Sequence, residues 1–139
     1  MPPSDSLFSF RAPEPVGPYP HVRRVGNLLF LSGIGPRERG SKNIPGVELD
    51  TEGKVRSYDI EAQCHSMFKN VRIILEDAGS SWEKIVDITV FLTNMKKDFP
   101  AFNRIYAEYF KENQPARTTF EVNALPTPIA IEMKVIATV

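Results

Sequence analysis

Apolar residues recur along this chain with two different periods, and the switches between them lay out its elements. Over residues 58–78 they fall at Ile60, Cys64, Met67, Phe68, Val71, Ile74, Leu75 and Ala78, the three-and-four spacing of one helical face. Ser57 stands where an N-cap is needed and Gly79 where the chain must leave the helix. A second helix is predicted from Asp98 as its cap, with Pro100 in the first turn and Phe99, Phe102, Ile105, Tyr106, Tyr109 and Phe110 as its buried stripe. Between the helices, "KIVDITVFL" is β-branched and almost continuously apolar, which predicts a strand. Earlier, "HVRRV" and "LLFLSG" flank Gly26-Asn27, a Gly-first pair suited to a type II′ hairpin. Residues 35–57 form a long loop rich in Gly, Pro and charge, with a short strand at Val47–Leu49.

The last two strands alternate in opposite phase. In 116–125 the even positions Thr118, Phe120, Val122 and Ala124 oppose Arg117, Thr119, Glu121 and Asn123. In 129–139 the odd positions are apolar, and Ala130, Glu132, Lys134 and Thr138 make the mixed face. The reading is a hairpin with Ala124 opposite Ile129, which aligns both apolar faces and both polar ones. The order hairpin, helix, strand, helix, strand, strand then puts both helices on one side of a mixed sheet. The other face lacks a cover. Strand 85–92 carries apolar residues in either parity, Ile85 and Phe91 against Val86, Ile88, Val90 and Leu92, and uncovered apolar faces call for a partner chain. Residues 1–16, with Pro2, Pro3, Pro13 and Pro15, read as an N-terminal arm, and 17–139 as a single domain without repeats.

Lys plus Arg equals Asp plus Glu at 17 each, so the formal net charge is zero. That argues against a nucleic-acid or anionic-membrane partner held by bulk charge. One cysteine leaves no intrachain disulfide, which fits a reducing compartment. "MPPSDSLFSF" is not a secretory leader and no apolar run reaches membrane-spanning length, so the expectation is a cytoplasmic protein.

The charges on the last two strands raise the chemical question. In the hairpin register Glu132 faces Glu121, roughly 13 Å along from Arg117, too far for a direct ion pair. Either this face is simply solvated, or the two charges meet across a small molecule or another subunit. Cys64 lies on the apolar stripe and reads as an inert core thiol, and His65 as a surface residue. His21 is either a site residue or a plain loop histidine. Arg37 and Arg39 in "GPRERG" are either solvated charges or an anion clamp. No cluster has metal-ligand spacing, and there is no phosphate-binding Gly loop or G-x-S-x-G motif.

"GPYP" (17–20), "LFLSG" (29–33), "VFLTNMKKDFPAFNRIYAEYF" (90–110), "PARTTFEV" (115–122), "LP" (125–126) and "IEMKVIA" (131–137), in this order and spacing, resemble the RidA family, also called YjgF, the reactive intermediate deaminases. "GPYPHVRR", "SGIGPRERG…IPGV", "YDIEAQCHSMFKNVR" and "ALPTPIAIE" are more similar to its 2-aminomuconate deaminase branch. The resemblance implies an α+β, chorismate-mutase-like fold, a single mixed β-sheet with two helices on one face, and a homotrimer with sites between subunits. It implies hydrolysis of an enamine or imine with neither metal nor organic cofactor. For the branch, the substrate is the dicarboxylate 2-aminomuconate, deaminated to 4-oxalocrotonate and ammonia in aromatic-compound or tryptophan-type catabolism. By position, Arg117 would hold a carboxylate and Glu132 would serve as general acid/base. Tyr19, Ser32 and Gly33 would line the pocket, with Thr119 and Asn103 nearby. Thr119 stands where the family often has Cys, which leaves no thiol there. A dicarboxylate needs a second anion site, for which Arg37 is the first candidate and His21 its competitor. The resemblance also brings two alternatives, a general deaminase of 2-aminoacrylate-type intermediates and an RNA-acting or holdase-like protein. Zero net charge and the lack of an aromatic-basic RNA motif weigh against the last.

Overall fold

Asp59, not Ser57, opens the first helix. Its carboxylate accepts hydrogen bonds from the backbone N–H groups of Glu61 and Ala62 at 3.0 and 3.3 Å. The structure is a computed structural model that describes residues 5–139. Helix α1 runs Ile60–Asp77 and ends as the sequence predicts. Gly79 takes a positive φ of 78°, and its N–H and that of Ser80 return to the carbonyls of Glu76 and Leu75. The second helix, α2, runs Met95–Tyr109. Its cap is Asn94, whose side chain accepts from Lys97 N–H at 3.0 Å. The predicted cap, Asp98, is instead buried and accepts a 2.6 Å hydrogen bond from the Tyr58 hydroxyl. Asp and Asn cap equally well, so composition does not choose between them.

The strands are β1 (Ser6–Leu7), β2 (Val22–Val25), β3 (Leu28–Leu31), β4 (Val47–Leu49), β5 (Val55–Tyr58), β6 (Ile85–Leu92), β7 (Ala116–Glu121) and β8 (Ile131–Thr138). Gly26 (φ 59°) turns the β2–β3 hairpin with Val25 opposite Leu28, while Asn27 has negative φ, as a type II′ turn requires. β4 and β5 form a small separate hairpin, and the main sheet has the order β1-β2-β3-β8-β6-β7. Among the described residues no helix is long and apolar enough to cross a membrane.

This order corrects the expected final hairpin. β7 and β8 do not pair with each other, because β6 lies between them, parallel to β7 and antiparallel to β8. After β7 the chain crosses the end of β6, held there by Val122 N–H to Leu92 C=O and Thr93 N–H to Ala130 C=O. A strand has two hydrogen-bonding edges, and β6 uses both.

The core lies between the sheet and the two helices. Ile88, Val90 and Leu92 of β6, with Val135, Met133 and Ile131 opposite them on β8, are fully buried there. The alternate positions face away from the helices. Phe91 stacks on Phe120 across that open face, and Phe120 and Val86 are about half exposed.

Candidate active site

Glu132 points out of the core because its strand neighbours Ile131 and Met133 point in. It lies over Gly33, and a Cβ added at Gly33 would collide with Glu132 Oε1. The glycine is therefore what lets the carboxylate lie against the backbone after β3. Gly33→Ala is expected to push the carboxylate aside and to lower the kcat of any reaction that uses it on the order of 10-fold or more, since small misplacements of reacting groups are costly. An unchanged kcat in that variant would show that this close approach is not needed.

Around Glu132 opens a cleft of about 330 Å³ lined by Tyr19, Ser32, Gly33, Arg37, Thr127, Ile129 and Lys134, among others. Five of the candidates read from the sequence therefore share one wall: Tyr19, Ser32, Gly33, Arg37 and Glu132. Each is fixed by its neighbours. The Ser32 hydroxyl donates to Pro20 C=O at 2.7 Å, and Tyr19 Oη accepts from Val16 N–H at 3.2 Å. Two residues of α1 hold the loop that carries Arg37. Asn70 donates to the carbonyls of Gly35 and Arg37, and Ser66 to that of Pro36. Burial raises the proton affinity of Glu132, and the nearby positive charge of Arg37 partly offsets it.

Arg117 lies elsewhere. It pairs with Ile88 of β6, so it shares the helix side of the sheet, whereas Glu132 pairs with Phe91 on the open side. The expected common polar face does not exist, because Arg117 and Glu132 of one chain are on opposite faces of the sheet. The guanidinium lies over the rings of Tyr106, Phe102 and Phe99 at 4.5, 5.4 and 5.8 Å. Cation–π attraction holds it without using its hydrogen-bonding fork. Among the described residues Arg117 has no hydrogen-bond or ion-pair partner, and neither does Glu132. Asn103 and Arg117 line a separate groove beside α2. The hydroxyls of Thr119 and Tyr106, on the same side of the sheet, are buried without a hydrogen-bond partner. These two hydroxyls and the Arg117 guanidinium share the helix side of the sheet.

His21 and Arg39 serve the N-terminal segment. His21 is buried, its Nδ1 accepts from Ser9 N–H at 3.0 Å, and its Nε2 is 2.8 Å from Pro13 C=O. With both ring nitrogens engaged it has no free donor for a carboxylate. Arg39 donates to Ala12 C=O at 2.7 Å and pairs with Glu14. Cys64 is fully buried and burial pushes its thiol up to about 12. His65 is 2.7 Å from the Tyr109 hydroxyl. No group of three His, Cys, Asp or Glu side chains among the described residues is placed to hold a metal ion. The sequence reading missed Lys134 and Thr127 as cleft residues. The signal for Lys134 was present: it stands two residues after Glu132 in a strand, so the two share a face.

A family model described as Endoribonuclease L-PSP matches residues 9–139. A RutC family protein of Pyrococcus abyssi is 39% identical over 132 residues, covering 94% of this chain and 94% of its own. An Arabidopsis thaliana protein named Reactive Intermediate Deaminase A, chloroplastic, is 37% identical over 128 residues, covering 92% of this chain and 62% of its own. Among solved structures, E. coli TdcF with bound serine has a TM-score of 0.81 at 29% identity, covering 96% of this chain and 98% of that one.

Proposed function

This chain belongs to the endoribonuclease L-PSP family, which takes in RutC and RidA proteins, and on that premise we propose that it is a hydrolytic deaminase of enamines and imines, specifically of 2-aminomuconate. The observation that carries this reading is the pair Glu132 and Arg117. Both are half-buried and unpaired among the described residues, and they lie on opposite faces of one sheet. One chain cannot bring them to one substrate. Two copies can, if the β7 edge and α2 of one chain close over the Glu132 cleft of the next. A closed ring of three copies, a homotrimer with three shared sites, satisfies every copy and covers the exposed apolar groups of the open face. The name of the Arabidopsis relative and the serine bound to TdcF, an amino acid with one carboxylate, support a small amino- or imino-acid substrate.

The chemistry follows from the residue types. Arg117 presents its planar fork to the carboxylate beside the reacting carbon. Glu132 in its protonated form delivers a proton to the enamine carbon, giving the imine. As carboxylate it then takes a proton from water as the oxygen adds to the imine carbon. Returned to nitrogen, that proton lets ammonia leave, and the hydroxyl gives its own proton back to the Glu132 carboxylate as the carbonyl of 4-oxalocrotonate forms. A carboxyl of raised proton affinity suits both directions of transfer. Gly33 keeps the approach open, while Tyr19 and Ser32 shape the wall. The single cysteine, buried, suits a reducing compartment such as the cytoplasm.

Ammonia release from freshly generated 2-aminomuconate, compared with 2-iminopropionate, tests the reading. Faster release from the dicarboxylate is expected. Equal or faster release from 2-iminopropionate would favour the general deaminase that the Arabidopsis name suggests. No acceleration of either, together with salt-sensitive RNA binding, would move the protein to the activity named in the family description.

A further inference from the structure

We propose that Lys134 sets the substrate class of this cleft by receiving, together with Arg37, a second carboxylate remote from the reacting C–N bond. The inference rests on the deaminase reading and adds a residue that selects among its substrates. Lys134 and Glu132 are two apart on β8 and point into the same cleft. The Lys134 ammonium donates to Leu31 C=O at 3.2 Å. That carbonyl immediately precedes Ser32 and Gly33, so the bond sets the ammonium against the cleft wall. β8 and β3 are already joined by their backbone ladder, so the fold does not depend on this one contact. An ammonium has three donors, and two are left over. Neither Lys134 nor Arg37 has a carboxylate within 4.0 Å among the described residues, whereas Arg11, Arg23, Arg39, Arg56 and Arg104 each pair with an acid. Arg37 spends one nitrogen on Glu14 C=O at 2.8 Å and keeps the rest of its fork.

The charge balance gives the class. In the shared site Arg117 of the neighbouring copy, Arg37 and Lys134 supply three positive charges against the single Glu132. With Glu132 ionised, a substrate with two carboxylates leaves the closed site near neutral. A monocarboxylate leaves a cation desolvated and unmatched, which is unfavourable. The cleft therefore selects by attraction to one class and by penalty against the other.

The test separates binding from turnover. Calorimetry with the wild type and with Lys134→Gln, Lys134→Arg and Lys134→Glu uses muconate, a dicarboxylate without the reacting nitrogen, and sorbate, its six-carbon monocarboxylate counterpart. Removing one charged hydrogen bond is expected to weaken muconate binding about 10- to 100-fold relative to sorbate in Lys134→Gln. Lys134→Arg should keep most of the preference and Lys134→Glu should lose more than Gln does. The ratio of kcat/KM for 2-aminomuconate over 2-iminopropionate should move in parallel, through KM. An unchanged muconate-to-sorbate ratio in Lys134→Gln and Lys134→Glu overturns the proposal even if ammonia release is intact. A Lys134-dependent preference in a protein that releases no ammonia keeps the anion site and sinks the deaminase reading instead.

Discussion

Glu132→Gln is expected to cut turnover about 10²- to 10⁴-fold while leaving the chain at least as stable as the wild type at neutral pH. The first half follows from the proton inventory. Every step of the proposed reaction moves a proton, Glu132 is the one carboxyl group on the cleft wall among the described residues, and an amide of the same shape cannot carry one. The second half follows from burial. Partial desolvation raises the proton affinity of Glu132 above its ordinary value, against the opposing pull of Arg37. A carboxyl raised in the folded state adds stability while it is protonated, below its unfolded pKa, and that contribution disappears as pH rises through the folded pKa. At pH 7 the ionised group is therefore a burden that glutamine lacks, and the difference should close below about pH 4. Denaturant midpoints at the two pH values, taken beside kcat, check both halves. Retained turnover would reduce Glu132 to a strand residue, and a midpoint lowered at pH 7 would mean that its carboxylate is tied down by a partner.

Arg117→Ala is expected to be nearly as damaging, and mixing it with Glu132→Gln should restore activity that neither variant has alone. Alanine removes the fork and leaves the aromatic bed of Phe99, Phe102 and Tyr106 with nothing to present. Lysine should not rescue it, because an ammonium lacks both the planar two-point contact and the stacking surface. The mixture exploits the opposed faces of β7 and β8. If each site takes Glu132 from one copy and Arg117 from the next, random reassembly of equal amounts gives about a quarter of the sites both native groups. Co-expression or denaturation and renaturation of the mixed variants, followed by a kcat measurement, reads this directly. Activity no higher than in the separate variants, in particles shown by sedimentation to be mixed trimers, would mean that each site is built within one chain.

Local pattern settled most of the elements. Eight apolar positions spaced by three and four residues outlined α1, and Gly79 marked its end because few other residues accept a positive φ. The nearly continuous apolar, β-branched run became β6, Gly26-Asn27 became a type II′ turn, and the alternation in 129–139 correctly sent Glu132 away from the core. These features depend on residues within a few positions of one another, so the sequence carries them. The resemblance to RidA proteins added which residues to watch, and the cleft around Glu132 gathers five of them.

What only the tertiary structure decided is which strand lies beside which. The pattern of 116–125 and 129–139 reads equally well as a hairpin or as two strands flanking a third. The α2 crossover places β7 on one edge of β6 and β8 takes the other. With β7 parallel to β6, Arg117 shares the face of Ile88 and turns toward the helices, leaving Phe120 on the open side. Alternation along a strand fixes which residues lie together, but not which side of the sheet they take. That choice is made by pairing with residues distant in the chain, and it separates Arg117 from Glu132. The same distance in sequence explains why the backbone partners of His21 and Arg39, in residues 9–13, and the donation from Lys134 to Leu31 were not legible. Each is a contact of a side chain with a backbone group whose position exists only once the sheet has formed.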